Sequence, residues 1–431
     1  MGSKVSVKFN QFEVTANEGN ASVDLRAGTP IIHYYESVFM PYIVIDFSII
    51  DSGDTLGGKG GGETGLLSQI KLQGSEVVRF SIEDGDGNII DLTNDNALRV
   101  ATTDYLYEGF KSTSLSMTAV SKEAYDNTLA GEKGTRCKKN YAGTVSDIVS
   151  DILQGNLKTG KTLSIDQTLG QTQFLGNNRK PFDMILDLQR FAIPSVSGTT
   201  GNRAGYLFYE TVDGYHFKSL DGLFEKQPVK RFIENKQATN ILPSRYDGKI
   251  YSSVIKKSSH ALDQMDSGAY SGSLWTFDEK EGVYKKKDVD NSGKPTAGFS
   301  PVTLNKELQG IPTGESFILK PKTRTMPGDP VDLQVAKGNE ENFPTEVLIE
   351  QTKQTFRTKM GISGEIVIDA DFSLHPGDMI ECTFPEGNAQ RSVPGGTFQS
   401  GIYMIAELCH YCDAVQTFTA LHIVRDAYGE K

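Results

Sequence analysis

The chain has 431 residues, more than one hydrophobic core usually serves, so its length predicts two or three domains. It is 37% hydrophobic and 23% charged, a composition typical of globular proteins. The formal net charge of −11 argues against a general nucleic-acid binder, which needs a basic surface, but it does not forbid contact with DNA that must move past without sticking.

The N-terminal stretch MGSKVSVKFNQFEV lacks the apolar core of a secretory signal. Met1-Gly2 with Ser6 fits only a loose myristoylation pattern. No run of about 18 apolar residues occurs in the chain. We therefore expect no membrane-spanning helix and no stable membrane insertion.

The stretch DSGDTLGGKGGGETG, from Asp51 to Gly65, has part of the spacing of a phosphate-binding loop. Gly60 stands where that loop needs Ser or Thr, and the following glycines each disfavour a helix by about 1 kcal/mol. Alternating apolar residues precede it in Tyr42–Ile50 and follow it in Leu66–Gln73. The pattern favours a Gly-rich hairpin tip over a nucleotide site.

The next segments continue a meander of short strands. EVVRFSIE (Glu76–Glu83) alternates, and DGDGN (Asp84–Asn88) leads into IIDL. A calcium loop would need Gly at the position of Ile89 and Glu at that of Asp95, so an Asp-Gly hairpin turn is the better interpretation.

Two helices are predicted in the middle of the chain. GTVSDIVSDILQG has apolar residues at helical spacing, with Thr144 as its cap. KPFDMILDLQRFA begins with Pro181 near its first position and is apolar on nearly all sides, so it should be buried. This part of the chain is therefore expected to be α+β.

Strands return in Ala204–Leu220, where Asp213-Gly214 predicts a hairpin turn. Residues 265–343 are polar and irregular, and Lys285–Lys287 is expected to lie in a solvated loop. A helix is predicted over 345–361, followed by strands to the end of the chain.

No group of residues predicts catalysis, a cofactor or a metal site, so we expect no enzyme. Cys409 and Cys412 form a CxxC, but it lies at a strand end without a second pair, which favours two structural cysteines over a zinc or redox site. The six histidines show no metal-ligating spacing. In HPGD (His375–Asp378), Pro-Gly predicts a turn in which the aspartate bonds nearby N–H groups.

The C-terminal strands resemble the end of the second β-barrel of baseplate central hub proteins of contractile-tailed phages, of the T-even type, and the N-terminal half of type VI secretion spike proteins. The similarity lies in Ser363–Gly387 and Ser400–Asp426. The matching positions are Leu374, Gly377, Asp378, Gly401, Tyr403, Ile405, His410, Arg425 and Asp426. Gly205–Phe224 resembles the hub hairpin that begins that barrel, and Lys180–Pro194 resembles the helix before it.

The resemblance implies a mainly β fold with α+β insertions and two tube-type antiparallel β-barrels per chain. The expected domains are 1–105 as the first barrel with its hairpin tip at 51–65, 106–200 with 250–343 as a peripheral α+β domain, and 201–249 with 344–426 as the second barrel. Within this fold, Leu374, Gly377 and Asp378 would form a barrel turn.

The resemblance also implies a structural role in the virion, within a tail baseplate assembled in the host cytoplasm. Three chains would form a ring of pseudo-sixfold symmetry that adapts a hexameric tail tube to a trimeric spike. The implied partners are two further copies of the chain, tail-tube or tube-initiator proteins, the spike trimer, neighbouring wedge proteins, and DNA passing through the channel without specific binding.

The Gly-rich tip would then contact a neighbouring subunit or a tube protein, because a loop of this kind can become ordered on a partner. The candidate contact residues are Thr55, Leu56, Gly57, Gly58, Lys59, Gly60, Gly61 and Gly62. Two alternatives stay open: another β-rich tail-tip or receptor-binding virion protein, and a tail-associated cell-wall hydrolase.

Overall fold

The computed structural model describes residues 7–18, 21–29, 31–51, 70–108, 112–195, 205–234, 242–257, 261–266, 268, 271–278, 282–290, 305–308, 311–320, 360–384, 399–413 and 415–425. Strands dominate these residues, and short helices lie mainly in the middle of the chain. The expected mainly β fold with α+β insertions is confirmed.

The N-terminal unit is an antiparallel sheet. Its strands are β1 (Lys8–Thr15), β2 (Ser22–Asp24), β3 (Ile31–Ser37), β4 (Val44–Asp51), β5 (Val77–Glu83), β6 (Ile89–Leu92), β7 (Leu98–Glu108) and β8 (Thr113–Ser121). They pair in the order β2-β1-β5-β7-β8-β4-β3, with β6 beside β5. Alternate residues are buried, as in Ile45, Phe47 and Ile49 of β4, because one face of each strand packs on the core.

The segment between β2 and β3 links opposite sides of this curled sheet. The N–H of Leu25 donates to the carbonyl of Phe12 on β1 at 2.8 Å, and the N–H of Ile50 on β4 donates to the carbonyl of Gly28 at 2.7 Å. Backbone hydrogen bonds from an irregular segment therefore join β1 to β4 in the described part of this unit.

The middle of the chain is α+β, as expected. It comprises α1 (Lys122–Asp126), β9 (Asn140–Gly143), α2 (Val145–Asp151), β10 (Leu163–Ile165), β11 (Thr172–Leu175), α3 (Pro181–Leu188), β12 (Tyr206–Thr211), β13 (Gly214–Ser219) and α4 (Leu220–Phe224). The hydroxyl of Thr144 accepts from the N–H of Asp147 and caps α2, and Pro181 opens α3, so both predicted helices are confirmed. A π-turn, 152–156, follows α2.

The C-terminal unit is a closed six-stranded barrel. Its strands are β14 (Lys230–Glu234), β15 (Gly248–Lys257), β19 (Ile362–Asp369), β20 (Met379–Thr383), β21 (Gly401–Asp413) and β22 (Thr417–Arg425). They pair in the order β21-β20-β14-β15-β19-β22, and β22 returns to β21. Strand β14 runs parallel to both neighbours, and the other pairs are antiparallel.

Part of the region predicted to be irregular is a small sheet. Helix α5 (Ala261–Asp266) precedes β16 (Ser271–Asp278), β17 (Val283–Asp290) and β18 (Gly314–Lys320), which pair in the order β17-β16-β18. Lys285–Lys287 lies on β17 and not in a loop, so that prediction was wrong. The lysines alternate between the two faces of an exposed edge strand, which their charge run concealed.

The two β-units share one continuous sheet. Strand β3 pairs with β21 over seven residues, from Ser37 opposite Glu407 to Ile31 opposite Asp413. A single hydrophobic cluster contains buried residues of both units, including Phe12 and Leu421. The units are therefore fused through backbone hydrogen bonds and a common core.

The strand pairings refine the expected boundaries. The boundary predicted at residue 105 falls inside β7, and β8 continues the N-terminal sheet to Ser121. The hairpin of β12 and β13 pairs with β10 in a three-stranded sheet, and not with the barrel strands that it was expected to precede. The division into domains stays a prediction.

Candidate functional site

The turn predicted at His375–Asp378 is confirmed. The N–H of Asp378 donates to the carbonyl of His375 at 3.1 Å, and Gly377 has φ +87°, the left-handed conformation of a type II turn. The carboxylate of Asp378 accepts from the N–H of His375 at 3.1 Å, as the sequence predicted. Leu374 is fully buried in the core.

This turn is held against the barrel and the middle unit. Gly377 donates its N–H to the carbonyl of Ile405, and Ile405 donates to the carbonyl of Asp378, both at 2.8 Å. A Cβ on Gly377 would overlap the hydroxyl of Tyr209 on β12 and approach Leu223 on α4 at 3.1 Å. Glycine is therefore required both by the backbone angle and by the close packing of the middle unit.

A buried ion pair joins the turn to the N-terminal unit. Nδ1 of His375 lies 3.1 Å from Oε2 of Glu36 on β3, whose side chain is fully buried. The other carboxylate oxygen of Glu36 accepts from the N–H of Val212 at 2.8 Å. Burial lowers the pKa of His375, but its bond to Glu36 and the nearby carboxylates outweigh this and raise the pKa to about 9. His375 is therefore protonated at neutral pH.

A second buried charge cluster lies within the middle unit. Nζ of Lys161 lies 2.5 Å from Glu210 on β12 and 2.7 Å from Glu123 on α1. These three side chains are at most 5% exposed. Burial lowers the pKa of Lys161, but the attraction of Glu210 and Glu123 outweighs it, so the pKa is raised and the ammonium is retained.

Glu210 also reaches the backbone of the N-terminal unit, since Ile43 donates its N–H to Oε2 at 3.2 Å. Glu210 of the hairpin of β12 and β13 thus contacts the N-terminal unit, and Tyr209 of the same hairpin packs on the turn at Gly377 in the C-terminal unit. Asp84 makes a further direct link, because its carboxylate accepts from the N–H of Phe372 at 2.9 Å. Together these contacts form a junction that fixes the three units in one arrangement.

Three of the family-like positions meet at the end of the barrel. The guanidinium of Arg425 is buried and donates to the carbonyls of Gln399 and Ser400 at 3.3 and 3.0 Å. It lies 4.9 Å from the ring centre of Tyr403. Gly401 has φ +143°, and a Cβ there would lie 2.8 Å from Nη1 of Arg425. Because Gly401 has no side chain, the guanidinium of Arg425 can lie against its backbone.

His410 is a core residue. Its Nδ1 lies 2.8 Å from the hydroxyl of Thr419, and its ring stacks with Tyr34 and meets Phe372 edge-on. Complete burial lowers its pKa to about 3, so it is neutral at physiological pH. The matching Asp426 lies outside the described residues.

The outward side of the shared sheet forms a face that we call the joint face. It consists of alternate residues of six adjacent strands: 114–120 of β8, 44–50 of β4, 31–37 of β3, 407–413 of β21, 418–422 of β22 and 363–369 of β19. All of these residues are described, and the face carries no lysine or arginine. Its carboxylates are Asp46, Glu365, Asp369, Glu407 and Asp413.

An aromatic row crosses the joint face at the seam between the units. Asp46, His33, Tyr411, Phe418 and Asp369 lie directly opposite one another on successive strands. The rings of His33 and Tyr411 are 5.1 Å apart, and those of Tyr411 and Phe418 are stacked at 4.6 Å. The face is thus acidic at both ends of the row and aromatic in the middle.

The remaining candidates are structural where they are described. Cys409 and Cys412 are free thiols on opposite faces of β21, and burial raises the pKa of both, to about 11 and about 12. Asp84 bonds the N–H groups of Asp86 and Asn88, as a hairpin turn between β5 and β6 requires. The contact loop Thr55–Gly62 and the helix predicted over 345–361 lie outside the described residues, except for 360 and 361.

No helix in the described ranges is long and apolar enough to cross a membrane. Those ranges also contain no cluster of three metal-ligating side chains. The four described residues of the strand predicted over Leu66–Gln73, from Ile70, form no strand.

Sequence reasoning missed the charged residues of the junction. Glu36, Glu123, Lys161 and Glu210 are distant in the chain, and each lies among residues whose pattern predicts an ordinary strand, helix or loop. One signal was present: Glu36 and Glu210 are charged residues at positions that strand alternation assigns to the buried face.

The sequence matches no known family profile, and no curated protein is similar to it at a significant level. Solved structures with the same fold do exist. The 43 kDa tail protein of prophage MuSo2 from Shewanella oneidensis superimposes with a TM-score of 0.54 at 10% identity, covering 98% of this chain and 99% of its own. The tail protein from Neisseria meningitidis MC58 gives a TM-score of 0.51 at 10% identity, covering 96% of each chain.

A component of the E. coli type VI secretion system, described as structurally similar to the T4 bacteriophage tail proteins gp27 and gp5, overlaps 99% of this chain and 79% of its own. Its TM-score of 0.40 at 8% identity is too low to establish a shared fold. The resemblance read from the sequence is confirmed at the level of the fold by the two tail proteins. The chain therefore has the fold of these tail proteins.

Proposed function

We propose that the chain is the structural hub of a contractile phage tail baseplate. In this proposal three copies form a ring of pseudo-sixfold symmetry, seat a hexameric tail tube on one side and a trimeric spike on the other, and leave an axial channel for DNA ejection. The ring would belong to the virion and would assemble in the host cytoplasm.

The observation that carries the proposal is the fusion of two β-units through β3 and β21. The N-terminal unit contributes a curled antiparallel sheet of eight strands, and the C-terminal unit contributes a closed barrel of six. Three such chains present six β-units around one axis, which is what matching a sixfold tube requires. The near-complete overlap with two tail proteins supports the same role.

The charge of the joint face supports its assignment to the channel wall. A wall with five carboxylates and no lysine or arginine repels the phosphate backbone, so DNA is not retained by counterion release. The joint face runs without interruption across both units. Each chain would therefore contribute one continuous section of the channel wall.

Oligomeric state is the first test. Mass photometry of the pure protein should give a trimer of 47.2 kDa chains, about 142 kDa, and class averages should show a ring with an axial opening. A monomer at micromolar concentration that binds neither tube nor spike protein would contradict the proposal.

Labelling tests the channel wall. Ser48→Cys on the joint face, in a Cys409→Ser background, should react with a small maleimide in the trimer but not with a maleimide attached to a long polyethylene glycol. Lys8→Cys, on an exposed position away from this face, should react with both. Equal reaction of Ser48→Cys with both reagents would remove the assignment of this face.

The proposed contact of the Gly-rich tip has a separate test. Deletion of Thr55–Gly62 should leave the trimer intact if the tip binds the tube protein, and should weaken the trimer if the tip binds a neighbouring copy. Normal trimer assembly together with normal tube binding would contradict a contact role.

Binding of the spike and wedge proteins is tested by co-purification with each partner expressed together with the chain. A cell-wall hydrolase is the alternative from a different class. Clearing of peptidoglycan by the pure protein in a zymogram would favour it over the hub.

A further inference from the structure

A polar cleft of about 410 Å³ lies between the N-terminal sheet and the middle unit. Its floor is the outward side of β5 and β7, where Val77 lies opposite Arg99 and where Arg79 and Ala97 share the same face. Its walls are the turn at Asn94–Asn96, the start of α1 and the loop at 158–160. This volume is in the range of small-ligand sites.

The cleft gathers positive charge in an acidic chain. Arg79, Arg99 and Lys158 line it, and Glu13 on β1 lies directly opposite Arg79 in the sheet. Arg79 donates to the hydroxyl of Thr15 at 2.8 Å, and Arg99 donates to the carbonyl of Ser75 at 3.3 Å. Each guanidinium has five N–H donors, of which the bond named here uses one.

Two of the other charged residues of the cleft form ion pairs with residues outside it. Lys122 pairs with Asp126, and Glu123 pairs with Lys161. Asp95 is the remaining carboxylate on the walls. Arg99 lies directly opposite Val77, and Arg79 lies directly opposite Glu13 on β1, so the two half-buried arginines are diagonal neighbours on the same face.

Two wall residues hold unusual backbone conformations. Asn94 has φ +51° and Lys158 has φ +54°, and both lie on segments that border the cleft. Lys158 follows the helical turn 152–156 and its cap Leu157, and a left-handed residue is common at such a helix end. The loop at 158–160 approaches Asp95, since a Cβ on Gly160 would lie 4.0 Å from Oδ2 of Asp95.

We propose that this cleft is a binding site for a small phosphate-bearing anion, with Arg79 and Arg99 as its principal donors and Lys158 closing it from above. Guanidinium groups bind phosphate oxygens through paired, charge-assisted hydrogen bonds. A phosphate carries about −1.5 to −2 charges at neutral pH and several acceptor oxygens, so it can bind two of these cations at once, which a single carboxylate ligand does less well.

Isothermal titration of the full-length protein with pyrophosphate tests the site, at about 150 mM salt so that long-range attraction is screened. We expect saturable binding that Arg99→Gln weakens by about tenfold or more, the loss expected for a hydrogen bond to a charged group. Arg231→Gln is the control, because Arg231 is 58% exposed and pairs with Glu381 outside the cleft. It should leave the affinity within about twofold.

Absence of saturable binding would overturn the proposal, as would equal affinity of Arg99→Gln and the unchanged protein. Citrate binding as tightly as pyrophosphate would overturn the phosphate assignment. Lys158→Gln serves if Arg99→Gln does not fold, because Lys158 is exposed and its replacement removes no core contact. We expect it to weaken pyrophosphate several-fold, and no change would count against the site.

Discussion

The buried cluster of Lys161, Glu123 and Glu210 allows the energy of the junction to be measured. Lys161→Met keeps the apolar stem of the side chain and removes its charge. Both carboxylates then stay buried without a cation, and loss of one partner of a buried ion pair costs about 3–5 kcal/mol. We expect about 3 kcal/mol, the lower end, because Glu210 keeps the N–H of Ile43 and Glu123 keeps the hydroxyl of Thr159.

The pH dependence identifies the cause. Without the lysine, burial raises the folded-state pKa of both carboxyl groups above their unfolded values. The penalty is then complete above the raised pKa and shrinks as the pH falls towards the unfolded pKa, because the groups become neutral. We expect the loss at about pH 5 to be less than half of that at about pH 7.5.

Urea unfolding followed by circular dichroism at both pH values gives the two losses. Hydrogen exchange at the amide of Ile43, which donates to Glu210, reports whether the junction itself opens. Lys218→Met is the matched control, because its pair with Asp166 is 21% and 33% exposed and should contribute less than about 1 kcal/mol. A loss below about 1 kcal/mol for Lys161→Met, or an equal loss at both pH values, would refute the reasoning.

The contacts of His375, Gly377 and Arg425 lead to three further predictions. The pKa of about 9 at His375 lies above its usual value of 6.5, so protonated His375 should contribute about 3 kcal/mol to the free energy of unfolding. This contribution should be complete below about pH 6.5 and lost as the pH rises through about 9. In urea unfolding, His375→Gln should abolish this fall in stability between the two pH values. Gly377→Ala should lower the free energy of unfolding by about 2–4 kcal/mol, whereas Gly87→Ala, at φ +88° with open space around it, should cost only about 1 kcal/mol, and equal costs would show that overlap with Tyr209 is unimportant. Arg425→Met should cost about 2–4 kcal/mol in thermal or urea unfolding, because two buried carbonyls lose a charged donor, and a loss below about 1 kcal/mol would contradict this role.

The elements that local chemistry determines were predictable from the sequence. Thr144 and Pro181 marked the starts of their helices, and Asp213-Gly214 marked a hairpin, because caps and turns depend on residues within a few positions. The turn at His375–Asp378 was predicted down to the hydrogen bond that the carboxylate of Asp378 accepts, since Pro-Gly fixes the backbone angles of the turn.

Contacts between distant segments were not predictable in the same way. Nothing local indicates that Lys161 meets Glu210, or that the hairpin of β12 and β13 pairs with β10 and not with the barrel. The small sheet of β16, β17 and β18 was missed because the charge run Lys285–Lys287 in β17 resembles a solvated loop. The central strand β16 pairs with both β17 and β18, and no pattern within one strand shows these pairings. Register between strands depends on the whole fold, which a pattern within one strand does not contain.

The pairing of β3 with β21 also determines when the protein can be completed during synthesis. Ser37 bonds Glu407, a residue 370 positions later, so the ribosome must release nearly the whole polypeptide before β3 gains its final neighbour. Until then the nascent chain presents an open strand edge that can pair with another copy. Premature termination anywhere before residue 401 therefore yields a product that is incomplete at its first unit as well as its last, and such fragments should be degraded by proteases before they can assemble.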